Sequence, residues 1–223
     1  MSSNYVQTLC QAFAAHADPA TAEGQKAYMK HKFEFYGLKS PLRKELQKPF
    51  LQKAALPPQT QLPEIIKSFW ETPARETQYF AQELLLKYAR SFSEKELALM
   101  EYMVTTKSWW DTVDYIASNS IGRYFKKHPD QIRPITGRWM DSGNMWLQRS
   151  ALLFQLKYKD QLDTELLEEL INPLLGSKEF FINKAIGWAL RQHSKTDPVW
   201  VQDFADRTPL APLSRKEALR LIR

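Results

Sequence analysis

Cysteine and glycine are both scarce in this chain, and each scarcity restricts what the protein can be. The single cysteine, Cys10, excludes an internal disulfide and any cysteine-rich metal site in a sequence of 223 residues. A reducing, cytoplasmic setting matches this usage. The seven glycines form no glycine-rich phosphate loop, and no GxSxG nucleophile motif is present.

Long apolar runs and clustered histidines are also missing. No stretch approaches the roughly 18 to 20 apolar residues of a membrane span. The first twenty residues lack a basic start followed by an apolar block, so we expect neither a membrane segment nor a signal peptide. The four histidines, His16, His31, His128 and His193, are scattered along the chain. None has a second ligand at metal-site spacing, so we expect no metal and no cofactor.

The chain does contain enough apolar sequence for a large core and a modest excess of positive charge. Apolar residues make up 43% of it, and 31 Lys and Arg against 25 Asp and Glu give a net charge of +6. Seven of the basic residues fall between Lys30 and Lys53. This bias favours a polyanionic partner. The alternative for the basic segment is an ordinary solvated surface.

Helical patterns alternate with short breaks, and one alanine recurs at the start of each inner apolar run. These alanines are Ala81, Ala117, Ala151, Ala185 and Ala218, at spacings of 36, 34, 34 and 33 residues. Paired helices at such a period are typical of HEAT-like repeats. The sequence therefore predicts an all-α fold, a HEAT-like α-solenoid of about six stacked helix pairs in a single domain over residues 1–223. The alternative is a helical bundle without repeats.

The pattern also gives the extent of each helix. The first helices of the pairs are predicted over 62–70, 94–105, 131–140, 165–175 and 199–205. The second helices are predicted over 75–90, 109–127, 145–159, 180–192 and 214–223. The segment 40–53 is one further candidate unit.

Residues 107–114, KSWWDTVD, contain the first candidate for chemistry. Ser108 is placed to cap the following helix. An apolar stripe runs along that helix through Trp109, Val113, Ile116, Ala117, Ile121 and Tyr124. Trp110 and Asp114 are four residues apart and share a face at the edge of this stripe. An aromatic plane beside a carboxylate there can receive a cation; the alternative is a surface aspartate beside a rim tryptophan.

Two other segments carry candidates of the same kind. Arg149 lies in a helix that is apolar almost all round, so its charge needs a partner, either an internal carboxylate or a ligand phosphate. Gly187, in the middle of a predicted helix, indicates a close approach by another group. Trp188 beside it is either core or a second aromatic wall.

These segments resemble the AlkD-type DNA alkylation-repair glycosylases, which are built from HEAT-like repeats. The most specific blocks are 107–114, 146–159 (WLQRSALLFQLKYK) and 177–191 (SKEFFINKAIGWALR). They occur in the family's order, and the resemblance extends over nearly the whole chain.

The resemblance implies a set of functional positions. The family's essential aspartate falls on Asp114, its groove-lining tryptophans on Trp110 and Trp188, its DNA-contacting arginine on Arg149, and an N-terminal tyrosine of the DNA face on Tyr28. A side branch of the family lacks the aspartate, and Asp114 places this chain outside that pattern.

On this basis we expect a cofactor-free, monofunctional DNA N-glycosylase that acts as a monomer on double-stranded DNA containing alkylated bases. The expected substrates are cationic purines of the 3-methyladenine and 7-methylguanine type. The competing hypothesis is a non-catalytic α-solenoid scaffold that binds nucleic acid or protein.

Overall fold

Helices account for most of the described chain, residues 2–222, in a computed structural model of the protein. Within that range the sole β pairing is an isolated bridge between Glu34 and Ala74. The prediction of an all-α fold is confirmed. None of the helices in these residues is both long and apolar enough to cross a bilayer.

The chain forms two compact units, one ending at Ser91 and the other beginning at Phe92. The expectation of a single repeat domain over 1–223 stays a prediction. So does the winding of the helix pairs into a solenoid of about six repeats.

The first unit contains five α-helices. They are α1 (Ser2–Ala14), α2 (Pro19–Tyr28), α3 (Ser40–Gln47), α4 (Leu62–Glu71) and α5 (Arg75–Leu86). The sequence predicted α3, α4 and α5 but gave no helix before residue 40. A start signal for α2 is nevertheless present, because the Asp18 side chain accepts hydrogen bonds from the backbone of Ala20 and Thr21, and Pro19 follows it.

A buried carboxylate fixes the connection between α2 and α3. Glu76 accepts hydrogen bonds from the backbone N–H groups of Tyr36, Gly37 and Leu38 at 3.1, 3.0 and 3.1 Å. Glu76 is only 1% exposed, so these three donors compensate for the loss of its hydration. Gly37 has a φ of +89°, and an added Cβ there would lie 2.0 Å from the Asp18 carbonyl oxygen.

The C-terminus of α2 has an unusual composition for its geometry. The N–H of His31 donates to the carbonyl of Lys26 at 2.8 Å and the N–H of Lys30 to that of Ala27 at 3.0 Å. This pair of bonds is the Schellman motif, in which glycine usually occupies the left-handed position. Here Lys30 and His31 have φ values of +57° and +54°. That conformation costs a non-glycine residue roughly 1 to 2 kcal/mol.

The second unit contains the alternating helices of the predicted repeats. They are α6 (Glu94–Thr105), α7 (Trp110–Tyr115), α8 (Gly122–Lys127), α9 (Ile132–Asp141), α10 (Met145–Leu153), α11 (Thr164–Ile171), α12 (Phe180–His193), α13 (Pro198–Arg207) and α14 (Pro212–Ala218). A π-helical turn, Ile116–Ile121, joins α7 to α8. The second helices of successive pairs are neighbours, since α10 packs against α7, α12 against α10 and α14 against α12.

Two glycines allow backbones to approach within this unit. A Cβ on Gly122 would lie 2.6 Å from the carbonyl oxygen of Phe154. A Cβ on Gly187 would lie 2.5 Å from Cβ of Glu217 and 2.8 Å from the carbonyl oxygen of Ser214. The sequence-based inference that Gly187 marks a close approach is confirmed, and α14 is the element that approaches.

We expect Gly122→Ala to lower the free energy of unfolding by about 1 to 3 kcal/mol, because the added methyl group meets a backbone carbonyl that has little room to move. Gly137→Ala in α9 is the matched control, since a Cβ there has no atom within 4 Å. It should stabilise the protein by up to about 1 kcal/mol through helix propensity. Urea unfolding of both variants measures the difference, and equal stabilities would contradict this account of Gly122.

Candidate functional site

The site is built around α7, and its first turn differs from the sequence-based expectation. Trp109, in extended conformation with a φ of −157°, is the residue that precedes the helix. The Ser108 hydroxyl donates instead to the Val104 carbonyl at 2.6 Å. The prediction that Ser108 caps α7 is wrong, because the helix begins at Trp110 and the N-cap position is occupied by Trp109, one residue after Ser108. Asp111 in the first turn still favours the positive end of the helix.

Asp114 and Arg149 form a two-point ion pair between α7 and α10. Arg149 Nε donates to Oδ1 of Asp114 at 2.6 Å and Nη2 donates to Oδ2 at 2.8 Å. The side chains of Arg149 and Asp114 are 5% and 13% exposed, so most of the pair is removed from water. Of the two partners considered from the sequence, an internal carboxylate is thus the one that Arg149 contacts.

Phe181, in the first turn of α12, completes the surroundings of the guanidinium. Its carbonyl oxygen accepts a hydrogen bond from Nη1 of Arg149, and its ring centroid lies 5.8 Å from the guanidinium carbon. Arg149 therefore links three consecutive second helices through one side chain. Sequence reasoning missed this role of Phe181, because a backbone acceptor carries no residue-type signal.

An aromatic cluster lies at the N-terminal ends of the same three helices. The ring of Phe181 is 5.0 Å from that of Trp109 and 5.0 Å from that of Trp146, centroid to centroid. The Trp109 and Trp146 rings are 5.9 Å apart. Tilted and edge-on ring pairs at these distances contribute about 0.5 to 1.5 kcal/mol each beyond area burial. The cluster thus holds together the N-terminal ends of the helices that carry Asp114, Arg149 and Phe181.

Burial raises the pKa of Asp114 above its ordinary value, and the hydrogen bonds and positive charge of Arg149 oppose that rise. The loss of hydration outweighs the ion pair here because the carboxylate is largely withdrawn from water. A carboxylate with a raised pKa is a stronger base than an exposed aspartate. The site therefore holds a negative charge of increased basicity at a fixed position.

The π-helical turn, Ile116–Ile121, begins two residues after Asp114. Within it, the Ser118 hydroxyl donates to the Asp114 carbonyl at 2.8 Å and the Asn119 side-chain amide donates to the Tyr115 carbonyl at 2.9 Å. Such turns insert one residue into a helix and occur often at functional sites. The predicted helix 109–127 is therefore interrupted, and the apolar periodicity gave no sign of it because Ile116, Ala117 and Ile121 remain fully buried.

The two tryptophans predicted for the site are both half-buried. Trp110 is the first residue of α7, one turn before Asp114 on the same face. Trp188 lies on α12 seven residues after Phe181, which places it on the same helix face about 10.5 Å along the axis. Trp188 is neither fully buried nor fully exposed, unlike Ala185 and Ala189 beside it, which are core residues.

Trp188 has a charged neighbourhood that the sequence did not reveal. Glu217 of α14 accepts from Lys184 Nζ at 2.9 Å and also from Arg191. Lys184 lies four residues before Trp188 and Arg191 three residues after it, so both border the tryptophan on the helix surface. Lys184 lowers the pKa of Glu217, with a smaller contribution from Arg191.

Tyr28, the remaining predicted site residue, ends α2 in the first unit and is 68% exposed. Within residues 2–222, no group of three or more His, Cys, Asp or Glu side chains is arranged to hold a metal ion.

Comparison with known proteins gives a family model and a solved structure that agree with each other. A family model described as DNA alkylation repair enzyme matches residues 9–222. A solved structure titled a predicted DNA alkylation repair enzyme from Enterococcus faecalis superposes with a TM-score of 0.86 at 36% sequence identity, over 92% of this chain and 96% of that one. No curated protein matches.

We expect Arg149→Met to lower the free energy of unfolding by about 3 to 5 kcal/mol, because it leaves the Asp114 carboxylate buried without its counter-charge. The double variant Asp114→Leu/Arg149→Met, which removes both charges, should recover most of that loss. The penalty of the single variant should shrink as the pH falls, since protonation then neutralises Asp114. Urea unfolding at several pH values measures all three effects. A double variant that is less stable than the single one would contradict this description of the pair.

Proposed function

The chain belongs to the DNA alkylation repair enzyme family, and from that premise we propose that it is a DNA glycosylase acting on cationic alkylated purines in duplex DNA. The observation that carries the proposal is the buried, ion-paired carboxylate of Asp114, held one helical turn from Trp110. The enzyme would be monofunctional, hydrolysing the N-glycosidic bond and leaving the DNA backbone intact.

The chemistry of the substrate explains why a few protein side chains are enough to catalyse cleavage of the glycosidic bond. A purine alkylated at N3 or N7 carries a positive charge and is already a good leaving group, so no strong general acid is needed. As the bond between C1′ and the base nitrogen breaks, its electron pair leaves with the base and the sugar becomes oxocarbenium-like. A fixed carboxylate stabilises that developing charge electrostatically.

Asp114 would then act on the water that completes the reaction. The water oxygen bonds to C1′ while one of its protons passes to the carboxylate, which the raised pKa makes a better acceptor. The products are the neutral alkylated base and an abasic sugar. A carboxylate has about four acceptor positions, of which Arg149 occupies two, so acceptor capacity remains for the water.

Arg149 would have two tasks. It orients the Asp114 carboxylate through its two-point contact, and the DNA contact implied by the family resemblance would use N–H groups that Asp114 and Phe181 do not engage. Three of the five guanidinium N–H groups are engaged. A phosphate held by the remaining two would set the register of the DNA backbone.

Trp110 and Trp188 would face the positively charged base and sugar. An aromatic face attracts a cation by roughly 0.5 to 2 kcal/mol. Such weak attraction is selective only because undamaged bases lack the charge. Tyr28 would contact the DNA from the first unit, and we propose that the protein binds as a monomer.

We expect Asp114→Asn to reduce the release of 7-methylguanine from DNA by two orders of magnitude or more, because it removes the negative charge and each 1.36 kcal/mol of lost barrier stabilisation is about tenfold in rate. Single-turnover base release by wild type and variant, with EDTA present, measures this. The exchange also leaves Arg149 without a full counter-charge, so the assay temperature must lie below the melting point of the variant.

Two results would count against the proposal. A folded Asp114→Asn protein that releases bases at the wild-type rate would remove Asp114 from the mechanism. A wild-type protein that binds DNA but releases no N-alkylated purine would favour a non-catalytic scaffold.

The pH dependence of base release provides a separate prediction. Because the reaction needs the ionised carboxylate, the single-turnover rate should fall as the pH falls through the raised pKa of Asp114. The midpoint should lie above the ordinary aspartate value of about 3.9. Subtraction of the Asp114→Asn rate corrects for acid-catalysed loss of bases. A wild-type rate that stays constant below pH 4 would show that this carboxylate is not the base.

A further inference from the structure

Lys30 and His31 occupy positions where the backbone favours a different residue. Both follow α2 in the left-handed region, with φ values of +57° and +54°, and their N–H groups make the two hydrogen bonds of a Schellman motif. Glycine adopts this conformation without steric conflict and is its usual occupant. The two side chains therefore lower the stability of the protein relative to glycine at these positions.

No hydrogen bond or ion pair of the two side chains within the described residues offsets that cost. Lys30 and His31 are both exposed, and in residues 2–222 neither side chain has an ion-pair or hydrogen-bond partner. The neighbouring Lys26, by contrast, pairs with Glu34 at 2.5 Å. Residues held in unfavourable backbone conformations cluster at active sites and ligand-binding sites.

The surroundings identify the chemistry of that ligand. Tyr28, two residues before Lys30, is 68% exposed, which is high for a large aromatic side chain. Cationic and hydrogen-bonding side chains beside an exposed aromatic ring suit a sugar–phosphate backbone, because phosphate contacts use lysine and aromatic rings pack on sugars and bases.

We propose that Lys30 and His31 form a phosphate clamp that grips the DNA backbone beside Tyr28. The proposal rests on the proposed function, since it takes duplex DNA as the partner. The DNA phosphate supplies the counter-charge that the described residues of the protein do not. The clamp adds affinity and not lesion recognition, because a phosphate is the same at every nucleotide.

The test replaces the clamp residues with the one residue that keeps the geometry. Lys30→Gly preserves the Schellman hydrogen bonds and removes the charge. With an undamaged duplex as the probe, the plot of log affinity against log salt should become shallower by about 0.9, the value for one lost phosphate contact. At 0.1 M salt this corresponds to about an eightfold loss of affinity. Lys30→Gly/His31→Gly should bind more weakly still.

Lys87→Ala is the matched control. Lys87 is also an exposed lysine at the end of a helix in the first unit, but its φ is −63°, in the right-handed region. The variant removes the same charge and should leave the salt slope close to that of wild type. If Lys87→Ala and Lys30→Gly weaken binding equally, the effect is one of net charge and the clamp is disproved.

Thermal melting separates the clamp from a structural role. The glycine variants should melt at or above the wild-type temperature, because they relieve the left-handed strain. A marked fall in melting temperature would show that the two side chains stabilise the cap, and it would overturn the proposal. DNA affinity of the glycine variants equal to that of the wild type would also overturn the proposal. If the wild type releases 7-methylguanine, that result leaves the glycosylase function intact. Base release that is absent in wild type would instead refute the proposed function.

Discussion

The Asp114–Arg149 pair is the interaction on which the second unit depends. Both charges are largely withdrawn from water, and burying them costs several kcal/mol per ion unless the geometry compensates. Here two charge-assisted hydrogen bonds and the Phe181 carbonyl provide that compensation. The same contacts join α7, α10 and α12 and fix the position of the carboxylate, and loss of either partner alone leaves a buried charge without its counter-charge.

The Asp114 carboxylate can stabilise positive charge even though Arg149 balances its own charge. The guanidinium is bound on one side, so the pair is a fixed dipole with its negative end at Asp114. A preorganised dipole in a low-dielectric site requires no reorganisation when charge develops, and this is the main source of electrostatic stabilisation in enzymes. An exposed aspartate would be more strongly screened and would have to be reoriented during the reaction.

Much of the second unit could be predicted from the sequence because its helical pattern recurs at intervals of 33 to 36 residues. The start of α6 was predicted at residue 94 and that of α12 at residue 180, as observed. The positions of Trp110 and Asp114 at the edge of the apolar stripe also followed from helical periodicity.

The partner of Arg149 was not predicted, although a signal was available: Asp114 and Arg149 are 35 residues apart, about one period of the helical pattern. Lys184 and Glu217 are 33 apart and also paired. Equivalent positions of adjacent second helices meet, so repeat register predicts contacts that residue type alone leaves open.

The features that could not be predicted are set by the backbone. The π-helical turn after Asp114 preserves the buried stripe, so a test of periodicity cannot detect it. The N-cap of α7 is Trp109 and not Ser108, a difference of one residue that the path of the chain decides and the residue types do not indicate. The left-handed conformation of Lys30 and His31 could not be predicted either, because glycine is the usual indicator of that conformation and neither residue is a glycine.

Net charge on its own is a poor guide to a DNA-binding surface, because many of the basic residues are already engaged. Arg149, Arg191 and Lys184 are held by internal carboxylates, and Arg133, Arg138 and Arg207 pair with glutamates at the surface. A cation in such a pair attracts phosphate only by giving up its partner or sharing it. The favourable contribution of counterion release therefore comes mainly from cations that lack an internal partner. In the part of the chain that the structure describes, Lys30 meets this condition in a conformation that disfavours it, so its place in the fold is better explained by a partner outside the protein than by stability.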